Sequence, residues 1–179
     1  LTLARDRFGE KPLYYGWVNN HFVFASEIKA FKTLSYFHNA ISKKALHYFL
    51  KVNYIPSPLS IYENIYKLEP GTFFEIDRSV KDISQINFNK FWTLEKVVKD
   101  GKNNTILQES LYLDELENRL TNSVKSQMLS DVPLGSFLSG GIDSSVICAL
   151  MQKENIKPIK TFTVGFKDKS FDESSYAKK

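Results

Sequence analysis

Between residues 137 and 145 the chain reads Phe137-Leu-Ser-Gly-Gly-Ile-Asp-Ser-Ser145. The preceding run, Gly135-Ser-Phe-Leu138, predicts the end of a buried strand, and Val146-Ile-Cys-Ala-Leu-Met151 predicts the first turns of a buried helix. Because glycine has no Cβ, Gly140 and Gly141 allow a sharp turn that brings backbone N–H groups close to a ligand. The order strand, glycine loop, helix therefore predicts a pyrophosphate-binding loop.

Polar side chains of the loop indicate which ligand it binds. The hydroxyls of Ser139, Ser144 and Ser145 add donors to the partial positive charge of the helix N-terminus. Asp143 would repel phosphate unless a cation lay between them, so its presence indicates Mg²⁺ held jointly by this carboxylate and a polyphosphate. We therefore expect a nucleoside triphosphate as ligand, with Asp143 as the metal-binding residue.

The loop lacks the Lys-Ser/Thr ending of a Walker A P-loop. Its Ser-Gly-Gly-x-Asp-Ser pattern, residues 139–144, instead resembles the PP-loop of the ATP pyrophosphatases, which adenylate a carboxylate or carbonyl and release pyrophosphate. The alternative is an ordinary Gly-Ser turn that joins a strand to a helix.

A second strand is predicted after the helix, at Ile159-Lys-Thr-Phe-Thr-Val-Gly165, because Pro158 ends the helix before it. Two parallel strands joined by a helix are typical of a doubly wound sheet, whose ligands bind beyond the carboxyl ends of the strands. The ligand is therefore expected near Leu138 and Val164.

The first half of the chain has a different pattern. Asn19-Asn20 separates two alternating runs, Leu13 to Val18 and His21 to Ala25, and predicts a hairpin with positive φ in its turn. Ser42 precedes an amphipathic helix to Lys51, and a strand is predicted at Thr72-Phe-Phe-Glu-Ile76.

Residues 97–110 are rich in Lys, Asn and Asp and contain Gly101, which predicts an interdomain linker. Residues 1–96 then form one domain and residues 111–179 another. Apolar residues recur every four positions from Tyr112 to Met128, which predicts a helix that packs on the second domain.

Composition narrows the class of protein. The 179 residues are 42% hydrophobic and 25% charged, contain one cysteine, and carry a net charge of +4 from scattered lysines. This composition predicts a cytoplasmic globular protein without a disulfide framework, a membrane span or a nucleic-acid partner. Cys148 is expected to be a buried structural thiol, and His21, His38 and His47 lack the spacing of metal ligands.

Four further stretches, together with the loop, carry a family resemblance. The first is Ala4-Arg-Asp-Arg-Phe-Gly-Glu-Lys-Pro-Leu-Tyr-Tyr15, which, followed by Phe24-Ala-Ser-Glu-Ile-Lys-Ala30, resembles the closing part of a class II glutamine amidotransferase domain. Residues 54–71 and 123–135 resemble the segments that follow in glutamine-hydrolysing asparagine synthetases, and Phe171-Asp-Glu-Ser-Ser-Tyr-Ala177 resembles the next helix of that family. Nearly the whole chain is covered, with residues 78–104 the least specific part.

The resemblance implies a mixed α+β and α/β fold. Residues 1–96 would be the C-terminal part of an Ntn-hydrolase class II glutamine amidotransferase sandwich. Residues 111–179 would hold the first βαβ unit of a doubly wound parallel-sheet ATP pyrophosphatase (PP-loop) domain.

The resemblance also implies the chemistry. Mg-ATP would adenylate the side-chain carboxylate of aspartate, and ammonia from glutamine would then form asparagine from the aspartyl-AMP. The loop residues, by this resemblance, hold pyrophosphate: Ser139, Gly140, Gly141, Asp143, Ser144 and Ser145. Leu138 and Val164 match positions whose backbone contacts adenine, although both could instead be core residues. Aspartate, glutamine and ATP are the implied partners, and the resemblance allows a homodimer.

No catalytic residue is assigned within the chain. The family's N-terminal cysteine nucleophile, its glutamine-binding residues and its second ATP motif, Ser-Gly-Glu-Gly, are expected outside residues 1–179. The chain would then be an internal fragment that does not complete the reaction by itself. Alternatives are a related ligase with another acceptor, such as a β-lactam synthetase or a polysaccharide-modifying enzyme, and a non-catalytic remnant that only binds nucleotide.

Overall fold

The computed structural model describes residues 1–106 and 108–178. Contacts divide the chain into two compact units, Leu1–Asn104 and Thr105–Lys179. The division falls inside the stretch for which a linker is predicted.

Eight strands and five α-helices occur in the described residues. The strands are β1 (Thr2–Ala4), β2 (Tyr14–Val18), β3 (His21–Ala25), β4 (Ile65–Lys67), β5 (Thr72–Glu75), β6 (Asn89–Lys90), β7 (Gly135–Phe137) and β8 (Lys160–Phe162). The helices are α1 (Lys43–Val52), α2 (Leu94–Asn103), α3 (Glu109–Gln127), α4 (Ile142–Lys153) and α5 (Ser174–Ala177).

Two three-stranded antiparallel sheets build the first unit, with strand orders β1–β5–β6 and β3–β2–β4. Side chains from both sheets share one buried cluster: Leu3 of β1, Tyr15 of β2, Phe74 of β5, and Leu68, Ile76 and Ile86 from connecting segments. Burial of these apolar groups stabilises the packing of one sheet on the other. The assignment of these sheets to an Ntn-hydrolase sandwich stays a prediction.

The predicted hairpin is confirmed. Strands β2 and β3 pair in register from Tyr14↔Ala25 to Val18↔His21. Asn19 and Asn20 form the turn with φ of 45° and 63°. Asparagine tolerates this left-handed region better than most residues, so the two-residue turn fixes the register.

The predicted amphipathic helix is confirmed as α1. The hydroxyl of Ser42 accepts the backbone N–H of Ala45 at 3.3 Å and caps the helix. Ala45 is fully buried, whereas Phe49 and Leu50 are exposed.

The segment predicted as a linker contains regular structure. Helix α2 occupies Leu94–Asn103, and the hydroxyl of Thr93 caps it by accepting the N–H of Lys96. Gly101 lies inside the helix rather than in a flexible connection. A single glycine lowers helix propensity by about 1 kcal/mol, which good helix formers and a cap can offset.

In the second unit, β7 and β8 are parallel, with α4 between them along the chain. Helix α3 packs on α4 through a buried cluster of Val124, Leu150 and Met151, as the spacing of its apolar residues predicts. Whether this strand–helix–strand unit opens a doubly wound sheet stays a prediction.

A strand precedes the loop as predicted, but the prediction that this strand is buried is wrong. Strand β7 is short, and 75% of Phe137 at its end is exposed. The reason is that β7 pairs only with β8 within the described part of the chain, so the two-stranded sheet leaves much of its surface uncovered.

Candidate functional site

The loop after β7 turns at Gly140 and enters helix α4. Gly140 has a φ of +84°, a conformation in which a Cβ would be strained. Gly141 is the residue that caps α4, in an extended conformation with φ −74° and ψ 161°. The helix begins at Ile142, earlier than the sequence pattern predicts, so Asp143, Ser144 and Ser145 form its first turn.

Ser139 and Ser144 hold the loop through a closed set of hydrogen bonds. The backbone N–H of Ser139 donates to Oγ of Ser144 at 3.2 Å, and the two Oγ atoms lie 3.0 Å apart. Oγ of Ser144 donates to the carbonyl of Gly141 at 3.1 Å. Because a hydroxyl has one proton, the Ser139 hydroxyl must then be the donor between the two serines.

The start of α4 is open to solvent. In an α-helix the first backbone N–H groups have no acceptor within the helix, and they give its N-terminus a partial positive charge. Here those groups belong to residues 142–144, and Ile142 is 84% exposed. Ser145 is exposed on the same turn. The arrangement can therefore bind an anion.

Asp143 is exposed in the first turn of α4. Within residues 1–106 and 108–178 no three His, Cys, Asp or Glu side chains gather as a metal site. A single carboxylate beside an anion-binding loop suits Mg²⁺, which is commonly held by one or two carboxylates together with phosphate oxygens. The residues present thus fit a Mg²⁺ that a polyphosphate brings with it.

Leu138 and the segment around Val164 come together at the carboxyl ends of β7 and β8. The N–H of Leu138 donates to the carbonyl of Phe162 at 2.9 Å, and the hydroxyl of Thr163 donates to the carbonyl of Leu138 at 2.7 Å. Val164 is not part of a strand, contrary to the prediction, and 57% of it is exposed. Strand β8 ends at Phe162, three residues before the predicted end at Gly165, and beyond it the side chain of Thr163 donates to the next carbonyl of β7.

A contact that the sequence pattern does not predict joins the loop to the segment after Val164. A Cβ on Gly140 would lie 2.6 Å from backbone and Cβ atoms of Tyr176 in α5. Asp172 fixes the start of this turn by accepting both the N–H and the hydroxyl of Ser174. These bonds from Ser174 hold the pKa of the Asp172 carboxyl below its usual range. The Asp-x-Ser spacing of residues 172–174 is a sequence signal for this turn, but not for its contact with Gly140.

The described cavities lie in the first unit. One of them, of about 190 Å³, is lined by aromatic and aliphatic side chains together with Lys67, Glu69 and Thr72. Burial lowers the pKa of Lys67, aided by the nearby charge of Arg5, and burial raises the pKa of Tyr15 in the same cavity. The side chain of Lys67 already donates to the carbonyl of Ile55, and Glu69 pairs with Lys90.

Cys148 is buried on α4, as the sequence predicts. In the part of the chain that the structure describes, no helix is long and apolar enough to cross a membrane.

Comparison with known proteins decides the family. Residues 1–92 match the family described as glutamine amidotransferase domain, and residues 115–179 match the family described as asparagine synthase. The chain belongs to the glutamine amidotransferase family. The two matches, in this order along the chain, agree with the family resemblance of the sequence motifs.

The relatives of this glutamine amidotransferase chain carry both parts. It is 37% identical over 184 residues to a putative glutamine-hydrolysing asparagine synthetase 2 of Methanocaldococcus jannaschii, covering 99% of this chain and 33% of the relative. It is 38% identical over 179 residues to glutamine-hydrolysing asparagine synthetase 1 of Bacillus subtilis, covering 98% and 26%. Amidase chry2 of Gibberella zeae is 29% identical over 193 residues, covering 100% and 27%. The chain thus spans a third or less of these relatives.

Proposed function

We propose that the chain is part of an ATP-dependent carbon–nitrogen ligase that converts aspartate to asparagine with ammonia from glutamine. The observation that carries the proposal is the order of the two family matches, with Ser139–Ser145 of the asparagine synthase part folded as a glycine loop at a helix N-terminus. The names of the relatives from Methanocaldococcus jannaschii and Bacillus subtilis support the substrate.

In this proposal the loop binds the polyphosphate of ATP. The backbone N–H groups at the start of α4 and the hydroxyl of Ser145 donate to phosphate oxygens, which stabilises negative charge as pyrophosphate departs, while the hydroxyls of Ser139 and Ser144 hold the loop in shape. The residues assigned to this role are Ser139, Gly140, Gly141, Asp143, Ser144 and Ser145. Leu138 and Val164 are assigned to the adenine, because strand ends offer backbone donors and acceptors beside apolar side chains.

Asp143 is assigned as the protein ligand of Mg²⁺. When bound, the cation supplies charge neutralisation between this carboxylate and the phosphates. The exposed position of Asp143 on the first turn of α4 lets the carboxylate reach a cation on the phosphates without unpairing a buried group.

The proposed reaction has two chemical steps. A side-chain carboxylate oxygen of aspartate attacks the α-phosphorus of ATP, the bond to the bridging oxygen of the β-phosphate breaks, and pyrophosphate leaves. Ammonia then attacks the acyl carbon, loses a proton, and AMP leaves with the electrons of the acyl–oxygen bond. Residues 1–92 supply part of the glutaminase domain in which that ammonia would originate.

The remaining assignments belong to the same proposal. The glutamine amidotransferase part is residues 1–96, the connection 97–110, and the synthetase part 111–179. The full-length protein is proposed to act in the cytoplasm, with a homodimer as the partner arrangement. Residues 1–179 alone are not expected to form asparagine.

Pyrophosphate release by the full-length protein tests the function. With Mg-ATP and ammonia present, release should depend on added aspartate and should be matched by asparagine. Pyrophosphate release that does not depend on aspartate would support the adenylation chemistry but would mean that the acceptor is another carboxylate. One relative, named an amidase, is compatible with that outcome. A full-length protein that binds no Mg-ATP would exclude the proposal.

Asp143→Asn tests the metal assignment. The substitution removes the charge at nearly constant size and should lower Mg-ATP affinity and pyrophosphate release by roughly a hundredfold or more. Asp114→Asn, at an exposed position on α3, is the matched control and should leave both values within about twofold of the unmodified protein.

A further inference from the structure

We propose that Thr163 is a positioning residue for the purine subsite, an inference that rests on the proposed function. The hydroxyl of Thr163 donates to the carbonyl of Leu138 at 2.7 Å, directly beyond the last pair of β7 and β8, Phe137↔Phe162. It thereby joins the two strand ends that the proposed function assigns to adenine.

The bond from Thr163 to Leu138 lies at the end of the β7–β8 ladder. In a parallel pair, evenly spaced main-chain bonds alternate between the strands. The last of these runs from the N–H of Leu138 to the carbonyl of Phe162 at 2.9 Å. The next acceptor along the chain from β7 is the carbonyl of Leu138, which accepts the hydroxyl of Thr163. Strand β8 ends at Phe162, and the main chain of Val164 lies outside the sheet.

Two features of these strand ends suit the binding of a purine base. The hydroxyl fixes the carbonyl of Leu138 in direction while leaving its second lone pair available, since a carbonyl oxygen has two. The backbone of Val164 is outside strand pairing, so its polar groups can face a ligand rather than β7. A purine edge needs such fixed donors and acceptors beside an apolar wall, and Leu138 and the half-exposed Val164 supply that wall.

The phosphate subsite is held by a separate set of bonds. Ser139 and Ser144 bond each other and Gly141, and Thr163 takes no part in these bonds. Loss of the Thr163 hydroxyl should therefore weaken recognition of the base without weakening recognition of the polyphosphate. This difference separates a positioning role from a general contribution to stability.

The test compares Thr163→Val and Thr163→Ser in the full-length protein. Valine keeps the shape and removes the donor, whereas serine keeps the donor. The affinity for Mg-ATP is measured by titration calorimetry, and Mg-tripolyphosphate, which has no base, is measured as a competitor. Thr161→Val, at an exposed threonine within β8, is the matched control.

Thr163→Val should weaken Mg-ATP binding by roughly fivefold, the change expected for one neutral hydrogen bond. Thr163→Ser and Thr161→Val should stay within about twofold, as should tripolyphosphate binding in every variant. Equal loss of Mg-ATP and tripolyphosphate affinity, or Mg-ATP affinity unchanged by Thr163→Val, would overturn the inference alone. Absence of Mg-ATP binding by the unmodified protein would instead remove the proposed function, and this inference with it.

Discussion

Gly140 and Tyr176 are so close that a Cβ atom on the glycine would lie 2.6 Å from the backbone carbonyl carbon of the tyrosine. The nearest atoms belong largely to backbone, which cannot rotate away as the end of a flexible side chain can. Two separate constraints therefore require glycine at this point of the loop, the positive φ and the approach of α5. The segment after Val164 thus helps to define the shape of the proposed phosphate site.

Gly140→Ala should lower the stability of the asparagine synthase part by about 2 kcal/mol or more, because the left-handed conformation and the contact with Tyr176 both oppose a methyl group. Scanning calorimetry of the full-length protein without nucleotide measures the effect. Gly141→Ala is the control. Its φ is −74° and the nearest atom to a new Cβ is Oγ of Ser139 at 3.4 Å, so its melting temperature should fall much less. Equal losses in both variants would contradict the role of the α5 contact.

Ser144→Ala should destabilise the loop by about 1–2 kcal/mol in the absence of nucleotide. The substitution removes the Oγ atom that accepts the N–H of Ser139 and donates to the carbonyl of Gly141. Hydrogen exchange of the Ser139 amide should accelerate in the variant. The neighbouring Ser145→Ala, at an exposed position, should leave that exchange rate nearly unchanged. Similar acceleration in both would mean that the serine network does not hold the loop.

Gly101→Ala should stabilise the first unit by about 0.5–1 kcal/mol, because alanine favours the helical backbone and a Cβ at this position has no atom within 4 Å. Urea unfolding gives the free-energy change. Gly71→Ala should act in the opposite direction, since its φ is +62° and its Cβ would lie 2.4 Å from the carbonyl oxygen of Trp92. A destabilising Gly101→Ala would argue that the segment is not helical in solution.

Asp6 should make the turn that follows β1 sensitive to acid. Its carboxylate accepts backbone N–H groups within the next five residues, those of Phe8, Glu10 and Lys11. Slight burial raises the pKa of Asp6, but these hydrogen bonds outweigh it, so the net pKa is lowered below its usual range.

Because the folded pKa is lowered, the stabilisation from the Asp6 carboxylate is fully present above the unfolded pKa of about 3.9 and is lost as pH falls through the folded value. The difference in unfolding free energy between the unmodified protein and Asp6→Asn should therefore be constant near neutral pH and shrink below about pH 4. Measurement by urea unfolding between about pH 2.5 and 7 decides it, and a difference independent of pH would contradict the assignment.

Local patterns in the sequence were sufficient for several elements. The Asn19-Asn20 turn, the Ser42 cap and the apolar spacing of α3 each depend on interactions within a few residues, so they can be predicted without the rest of the chain. The linker prediction was based on composition, and it missed α2 because a cap at Thr93 and good helix formers compensate for Gly101.

Some features of the candidate site could be predicted from the sequence, and others could not. The sequence by itself determined which chemical groups the loop carries, since two glycines, three serines and an aspartate follow one another between a predicted strand and a predicted helix. Only the tertiary structure decided that Thr163 bonds the carbonyl of Leu138, and that Tyr176 packs on Gly140. These partners lie 25 and 36 positions apart along the chain, and their approach depends on the pairing of β7 with β8 and on the path after Val164, which no local pattern of residues encodes.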